Sequence, residues 1–95
     1  MSDVIDGAVK ALTAKMSGTF DGVAKFVITG EGAVMIDASG VHAGDDAADV
    51  TLTADTGTFK AIIDGDLNPT MAFMSGKLTI DGNMGLAMQL GSVLS

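Results

Sequence analysis

The chain has 95 residues, twelve of them acidic and five of them lysine, and its net charge is −7. This charge excludes the basic face that binds nucleic acid, and we expect contact with a membrane to be transient at most. A chain of this length predicts one domain, residues 1–95, with a single hydrophobic core. Because it contains no cysteine, disulfides, thiol nucleophiles and thiolate metal sites are excluded as well.

The first predicted element is a helix over residues 3–16. Its apolar residues recur at spacings of three and four, which places them along one stripe: Ile5, Ala8, Leu12 and Met16. Acidic residues near its start and Lys15 near its end complement the helix dipole, and Gly18 is the predicted stop.

A β-hairpin is predicted next. Residues 23–29 and 33–38 each alternate between apolar and other side chains, and the short turn "GEG" separates them. In the second strand Val34 and Ile36 alternate with Met35 and Asp37, so we expect the two pairs to lie on opposite faces.

Two further strands, around 41–43 and at 49–55, come before the period changes, and in the second of them Val50 and Leu52 are predicted to point inward. Three apolar residues then fall at i, i+3 and i+4, which predicts a short helix: Phe59, Ile62 and Ile63. Thr56 is the predicted cap of this helix, and Gly65 is its predicted end.

The last third of the chain begins with the dipeptide Asn-Pro at 68–69, an N-cap followed by proline at the first helical position. Gly76 ends this second short helix. The segment "KLTIDG" is predicted to be a strand with Leu78 and Ile80 on one face, and Asn83 is predicted to cap a final helix.

The predicted element order is therefore α-β-β-β-β-α-α-β-α. Runs of strands separated from runs of helices are typical of the α+β class. We expect helices to cover one face of a mainly antiparallel sheet.

Residues that carry chemistry are few. His42 has no serine or cysteine of a nucleophilic pattern beside it, so we expect a histidine at the surface or sheet edge. The acidic loop at 45–49 lacks the spacing of a calcium-binding loop, and the Asp-Gly pairs at 64–66 and 81–82 are typical of turns. We therefore expect no enzyme, no metal site and no cofactor.

Methionine is crowded into one stretch of the chain. Four of the seven methionines lie within 68–90, together with several glycines. These methionines either fill the core of a small domain or line a cavity for an apolar ligand, and periodicity alone leaves both interpretations open.

The stretch "GDLNPTMAFMSGKLTIDGNMGLAMQL" resembles the sterol carrier protein-2 sterol-binding domain family. The residues that carry the resemblance are Asn68, Pro69, Ala72, Phe73, Gly76, Lys77, Leu78, Ile80, Gly82, Asn83, Met84, Leu86 and Leu90. The upstream "ADVTLTAD" is similar to the family's strand before the helices. The short form of the chain is similar to stand-alone bacterial members.

This resemblance implies a five-stranded sheet with helices over one face and a hydrophobic tunnel between them, and it favours the cavity interpretation. The tunnel-side positions that carry over are Phe26, Ile63, Met71, Phe73, Met74, Met84 and Met88. Where some members of the family have glutamine, this chain has Thr70 and Met88, so little polar recognition of a ligand is expected.

The function implied by the resemblance is non-catalytic binding and transfer of a lipid, such as a fatty acid, a fatty acyl-CoA or a sterol-like molecule. The alternative is an accessory or protein-interaction module with a filled core that presents an apolar substrate to a partner enzyme. The sequence shows no signal peptide and no apolar run of membrane-spanning length, so we expect a cytoplasmic location. The oligomeric state stays open.

Overall fold

The computed structural model describes residues 3–15, 20 and 22–94, without the side chains of 93 and 94, and its elements follow the predicted order. The helices are α1 (Asp3–Lys15), α2 (Thr56–Asp64), α3 (Pro69–Met74) and α4 (Met84–Leu94). The strands are β1 (Ala24–Ile28), β2 (Gly32–Asp37), β3 (Gly40–Ala43), β4 (Val50–Ala54) and β5 (Thr79–Gly82). The predicted end of the first helix at Met16 and its stop at Gly18 lie outside the described residues.

The five strands form one mixed sheet in the order β3-β2-β1-β4-β5. Antiparallel ladders join β1 to β2, β2 to β3 and β4 to β5, whereas β1 and β4 run parallel, with Phe26 opposite Leu52. Three of the four pairings are antiparallel, so the predicted α+β class and the mainly antiparallel sheet are confirmed.

The hydrophobic core lies between one face of the sheet and the helices. On β1 and β4 every second residue is buried, and these residues share the covered face: Ala24, Phe26, Ile28, Val50, Leu52 and Ala54. Helix α1 packs on β2 and β3, while α4 packs on β4 and β5. At the centre, the ring of Phe26 meets that of Phe59 edge to face, with ring centroids 4.8 Å apart.

The connection at 44–49 covers part of the outer face of the sheet. It links β3, at one edge, to β4 on the far side of β1, and it must cross two strands within six residues. The amide of Gly44 donates to the carbonyl of Ala33, and Asp45 accepts a 2.9 Å hydrogen bond from Lys25, which lies on the face opposite the helices. Met35 lies on that outer face, as the alternation predicts, and this segment buries it.

Side-chain caps define the starts of three helices. The carboxylate of Asp55 accepts the amide hydrogen of Thr58 at 2.7 Å, so Asp55 is the cap of α2 and the prediction of Thr56 was wrong by one residue. Asn68 caps α3 through the amide of Thr70, as predicted. Asn83 caps α4 by accepting the amide hydrogen of Leu86, as predicted.

We predict that Gly82→Ala destabilises the fold more than Gly40→Ala does. Both glycines have positive φ, 108° and 118°, so alanine at either position adds backbone strain of about 1–3 kcal/mol. Only at Gly82 would the new Cβ also collide with the backbone, namely the carbonyl oxygen of Asp49, whereas the space at Gly40 is open. Urea unfolding of both variants measures the difference, and equal losses of unfolding free energy would contradict the collision.

Candidate ligand-binding cavity

An apolar cavity of about 400 Å³ lies between the two last helices and the sheet. The helix α3 side contributes Asn68, Pro69, Thr70, Phe73 and Met74. The α4 side contributes Met84, Ala87, Met88, Gly91 and Ser92. Leu52, Leu78 and Ile80 close the third side. None of these described lining residues carries a charge, so the cavity suits an uncharged, apolar group.

The polar side chains of the cavity are gathered where two helix ends meet. Pro69 begins α3, and a Cβ built on Gly91 near the end of α4 would lie 3.9 Å from the Cβ of Pro69. Asn68, Thr70 and Ser92 are therefore neighbours of this junction. Met84 lies about two helical turns away along α4, so the cavity has a polar end and an apolar end.

The cavity opens to solvent between its methionines. Met74 and Met88 are 75% and 73% exposed, and Met84 is 46% exposed. Large apolar side chains are usually buried in the core of a small domain. These methionines therefore form walls that water reaches, and they do not fill the core.

The structure brings four of the seven predicted ligand-binding residues together around this cavity: Phe73, Met74, Met84 and Met88. Phe26 lies fully buried in the core. Met71 is 59% exposed on α3 and lines neither this cavity nor the groove described next. The ligand-binding roles of all seven residues stay predictions.

Ile63 belongs to a second concave region, a groove of about 570 Å³ between α1 and α2. Its floor includes Ala8 and Phe59, and charged residues stand around it: Asp3, Lys60 and Asp64. The groove is larger than the cavity, but its charged rim makes it the weaker candidate for an apolar ligand.

The sequence interpretation missed several lining residues for which a signal existed. Leu52 was predicted to point inward, and Leu78 and Ile80 were predicted to share one face of a strand. All three line the cavity. Alternation identified the face correctly, but it did not show that this face lies opposite α3 and α4.

His42 is placed away from the cavity, on β3. Its Nε2 atom lies 3.1 Å from Oδ2 of Asp37, across the turn that joins β2 and β3. This hydrogen bond raises the pKa of His42 above its ordinary value of 6.5. Hydrogen bonds from Ser39 and then from His42 lower the pKa of Asp37 to about 2. Among the described residues, no group of three or more histidine and carboxylate side chains is arranged to hold a metal ion.

We predict that the Asp37–His42 pair contributes stability only within a pH window. A raised histidine pKa gives stability that is present below 6.5 and is lost as pH rises through the raised value. A lowered aspartate pKa gives stability that is present above 3.8 and is lost as pH falls through about 2. The difference in unfolding free energy between wild type and Asp37→Asn should therefore be largest between pH 3.8 and pH 6.5, the ordinary pKa values of the two groups.

The direct measurement is an NMR titration of the imidazole, since His42 is the only histidine in the sequence. Asp37→Asn should lower its pKa toward 6.5. Ser39→Ala is the control, because it removes a hydrogen bond to Asp37 and leaves the imidazole contact in place. An unchanged pKa in Asp37→Asn would contradict the pairing.

Comparison with known proteins identifies the family. The sequence profile of the SCP-2 sterol transfer family matches residues 4–95, which is nearly the whole chain. The chain belongs to the SCP-2 sterol transfer family. The resemblance carried by residues 65–90 is thus confirmed.

Curated relatives share this domain as part of a longer protein. Hydroxysteroid dehydrogenase-like protein 2 from Xenopus tropicalis is 43% identical over 84 residues, which cover 80% of this chain and 20% of that protein. The protein of the same name from Danio rerio is 40% identical over 92 residues, covering 88% of this chain and 22% of that protein. The chain therefore spans about a fifth of the length of these vertebrate relatives, which lend no support to the expected bacterial, stand-alone origin.

Solved structures of the SCP-2 family share the fold. Sterol carrier protein-2 from Aedes aegypti, in complex with the C16 fatty acid palmitate, has a TM-score of 0.79 and 25% identity, covering 100% of this chain and 97% of that chain. Sterol carrier protein 2 like 2 from the same species has a TM-score of 0.78 and 23% identity, covering 95% of both chains. Within the described ranges of this chain, every helix is too short or too polar to cross a bilayer.

Proposed function

We propose that this SCP-2 family member binds and transfers a lipid, and that the acyl or other apolar part of the ligand lies in the cavity between α3, α4 and the sheet. The observation that carries the proposal is an uncharged cavity of about 400 Å³ whose methionine walls stand open to solvent. The volume falls within the range of about 300–1,000 Å³ that is usual for small-molecule sites. The palmitate complex of the Aedes aegypti relative supports a fatty acid as the first ligand to test.

Burial of the apolar chain supplies the binding energy in this proposal. About fifteen fully buried carbons at about 0.8 kcal/mol each contribute about 12 kcal/mol, and association costs at least about 4 kcal/mol, so the tightest affinity expected is micromolar. Unbranched methionine side chains adapt their shape to a flexible acyl chain better than branched residues do. Affinity should therefore depend mainly on the length of the apolar chain.

The head group receives little recognition from the protein. No cation lines the described cavity, and the polar groups near its one end are the amide of Asn68 and the hydroxyls of Thr70 and Ser92. These groups suit a neutral or water-exposed head group better than a phosphate. Among the lipids expected from the sequence, a fatty acid or sterol-like molecule is therefore favoured over a fatty acyl-CoA.

We predict that Met88→Asp weakens the binding of a fluorescent fatty acid at least about tenfold, because its carboxylate would have to lose water against the acyl chain. Met71→Asp should bind within about twofold of wild type, since an effect below 0.5 kcal/mol is usual away from a contact. The two variants make the same chemical change at exposed methionines, and only Met88 lines the cavity. Titration by fluorescence, with circular dichroism to confirm folding, provides the measurement.

Two outcomes would contradict the proposed site. Unchanged affinity in Met88→Asp would move the ligand away from the cavity. Equal losses in Met88→Asp and Met71→Asp would mean that the apolar surface, and not the cavity, captures the fatty acid.

A second candidate function is supported by the longer relatives, which are named as dehydrogenase-like proteins. The matched region makes up about a fifth of hydroxysteroid dehydrogenase-like protein 2, so the same domain accompanies other sequence in those proteins. In this candidate function the chain holds an apolar substrate and presents it to an enzyme. The cavity serves both candidates, but it does not fit the expectation of a filled core.

Presentation to an enzyme predicts a specific kinetic behaviour. An enzyme that consumes the bound lipid should convert it faster from the complex than the measured dissociation of the lipid into water allows. Mixing the loaded chain with such an enzyme in a stopped-flow instrument measures both rates. A conversion rate equal to the dissociation rate would contradict presentation and leave simple carriage.

A further inference from the structure

Five large apolar side chains of α3 and α4 form an exposed surface, which we call the methionine face. Its members are Met71, Phe73, Met74, Met84 and Met88. Four of them line the cavity, and Met71 stands on the same short helix as two of these four. An extended apolar surface of this kind on a small protein marks a contact site, whereas scattered single residues do not.

The methionine face is also uncharged. The sequence has no charged side chain at 68–76 or at 82–95, the two segments that contain the face. Its five lysines and twelve acidic residues all lie elsewhere, with Lys77 and Asp81 in the short segment between the two. The segments that carry the methionine face therefore offer apolar contacts, whereas the electrostatic interactions of the chain come from its acidic remainder.

This distribution of charge selects among the surfaces that the face could contact. An anionic bilayer repels a chain of net charge −7. A second copy of the chain carries the same −7 and repels it too. A zwitterionic phospholipid surface has no net charge, so apolar contact by the methionines meets no opposing field there.

We propose that the methionine face docks on the zwitterionic surface of a phospholipid bilayer, with the cavity opening directly against the lipid. This inference rests on the proposed function, because it names the source and the destination of the same ligand. An acyl chain that crosses the docked face stays in apolar surroundings, whereas transfer through solution exposes the whole chain to water. Docking therefore depends on apolar contact, and anionic lipids weaken it by repelling the acidic chain.

The test uses Met71→Asp, which alters the methionine face without altering the cavity lining. Its matched control is Ala47→Asp, which adds the same charge at an exposed position in the connection that crosses the opposite face of the sheet. The wild type and both variants, each as the full chain, are compared by two measurements. One is cosedimentation with phosphatidylcholine vesicles, and the other is the rate at which a fluorescent fatty acid leaves the protein for those vesicles.

The proposal predicts a transfer rate that rises with the concentration of phosphatidylcholine vesicles and falls when phosphatidylserine is added to them. Met71→Asp should lower both cosedimentation and transfer rate about tenfold, because its carboxylate must lose water at the lipid surface. The fatty-acid affinity of this variant should stay unchanged. Ala47→Asp should behave as wild type in both readouts.

Other results would overturn the docking proposal. A transfer rate independent of vesicle concentration would mean passage through water, and equal behaviour of Met71→Asp and wild type would remove the face from docking. Sedimentation velocity that shows a wild-type dimer and a Met71→Asp monomer would make the face a contact between copies. If fatty acid does not bind at all, the proposed function fails, while cosedimentation still decides whether the face docks.

Discussion

The parallel pairing of β1 with β4 is the contact on which the rest of the structure depends. It joins the first hairpin to the second half of the chain and makes β1 the central strand. Because β5 then pairs with the free edge of β4, the last helices must lie over that side of the sheet. The cavity forms there, with Leu52 of β4 and Ile80 of β5 on its sheet side.

The same arrangement determines which apolar residues the fold covers. Helix α1 packs on β2 and β3, and the crossing connection at 44–49 lies against the outer face of the sheet, so that even Met35 is enclosed. Helix α3 has only six residues and ends at Met74, too few to cover the end of the sheet and α4 together. The methionines next to it stay exposed, and the proposed lipid binding and bilayer docking give that exposure a physical reason.

Much of the fold could be predicted from the sequence because its signals are local. Alternation identified each strand to within two residues, and Asn68 and Asn83 identified two helix starts through side-chain caps. An error arose where two caps compete, because Asp55, and not Thr56, accepts the amide hydrogen of Thr58. The burial of Met35 could not be predicted from alternation, because the segment that covers it belongs to another connection.

The sequence by itself determined the elements, the uncharged character of segments 68–76 and 82–95 and the presence of apolar residues without chemistry beside them, since these follow from composition, period and neighbouring residues. Only the tertiary structure decided which of those residues surround one space. Met74 and Met71 lie three residues apart on α3, yet only Met74 lines the cavity, because the packing of α3 on α4 sets which side of that short helix faces inward. Packing between distant segments cannot be inferred from the local sequence pattern, and here it decides that Met74 lines the cavity while Met71 faces outward.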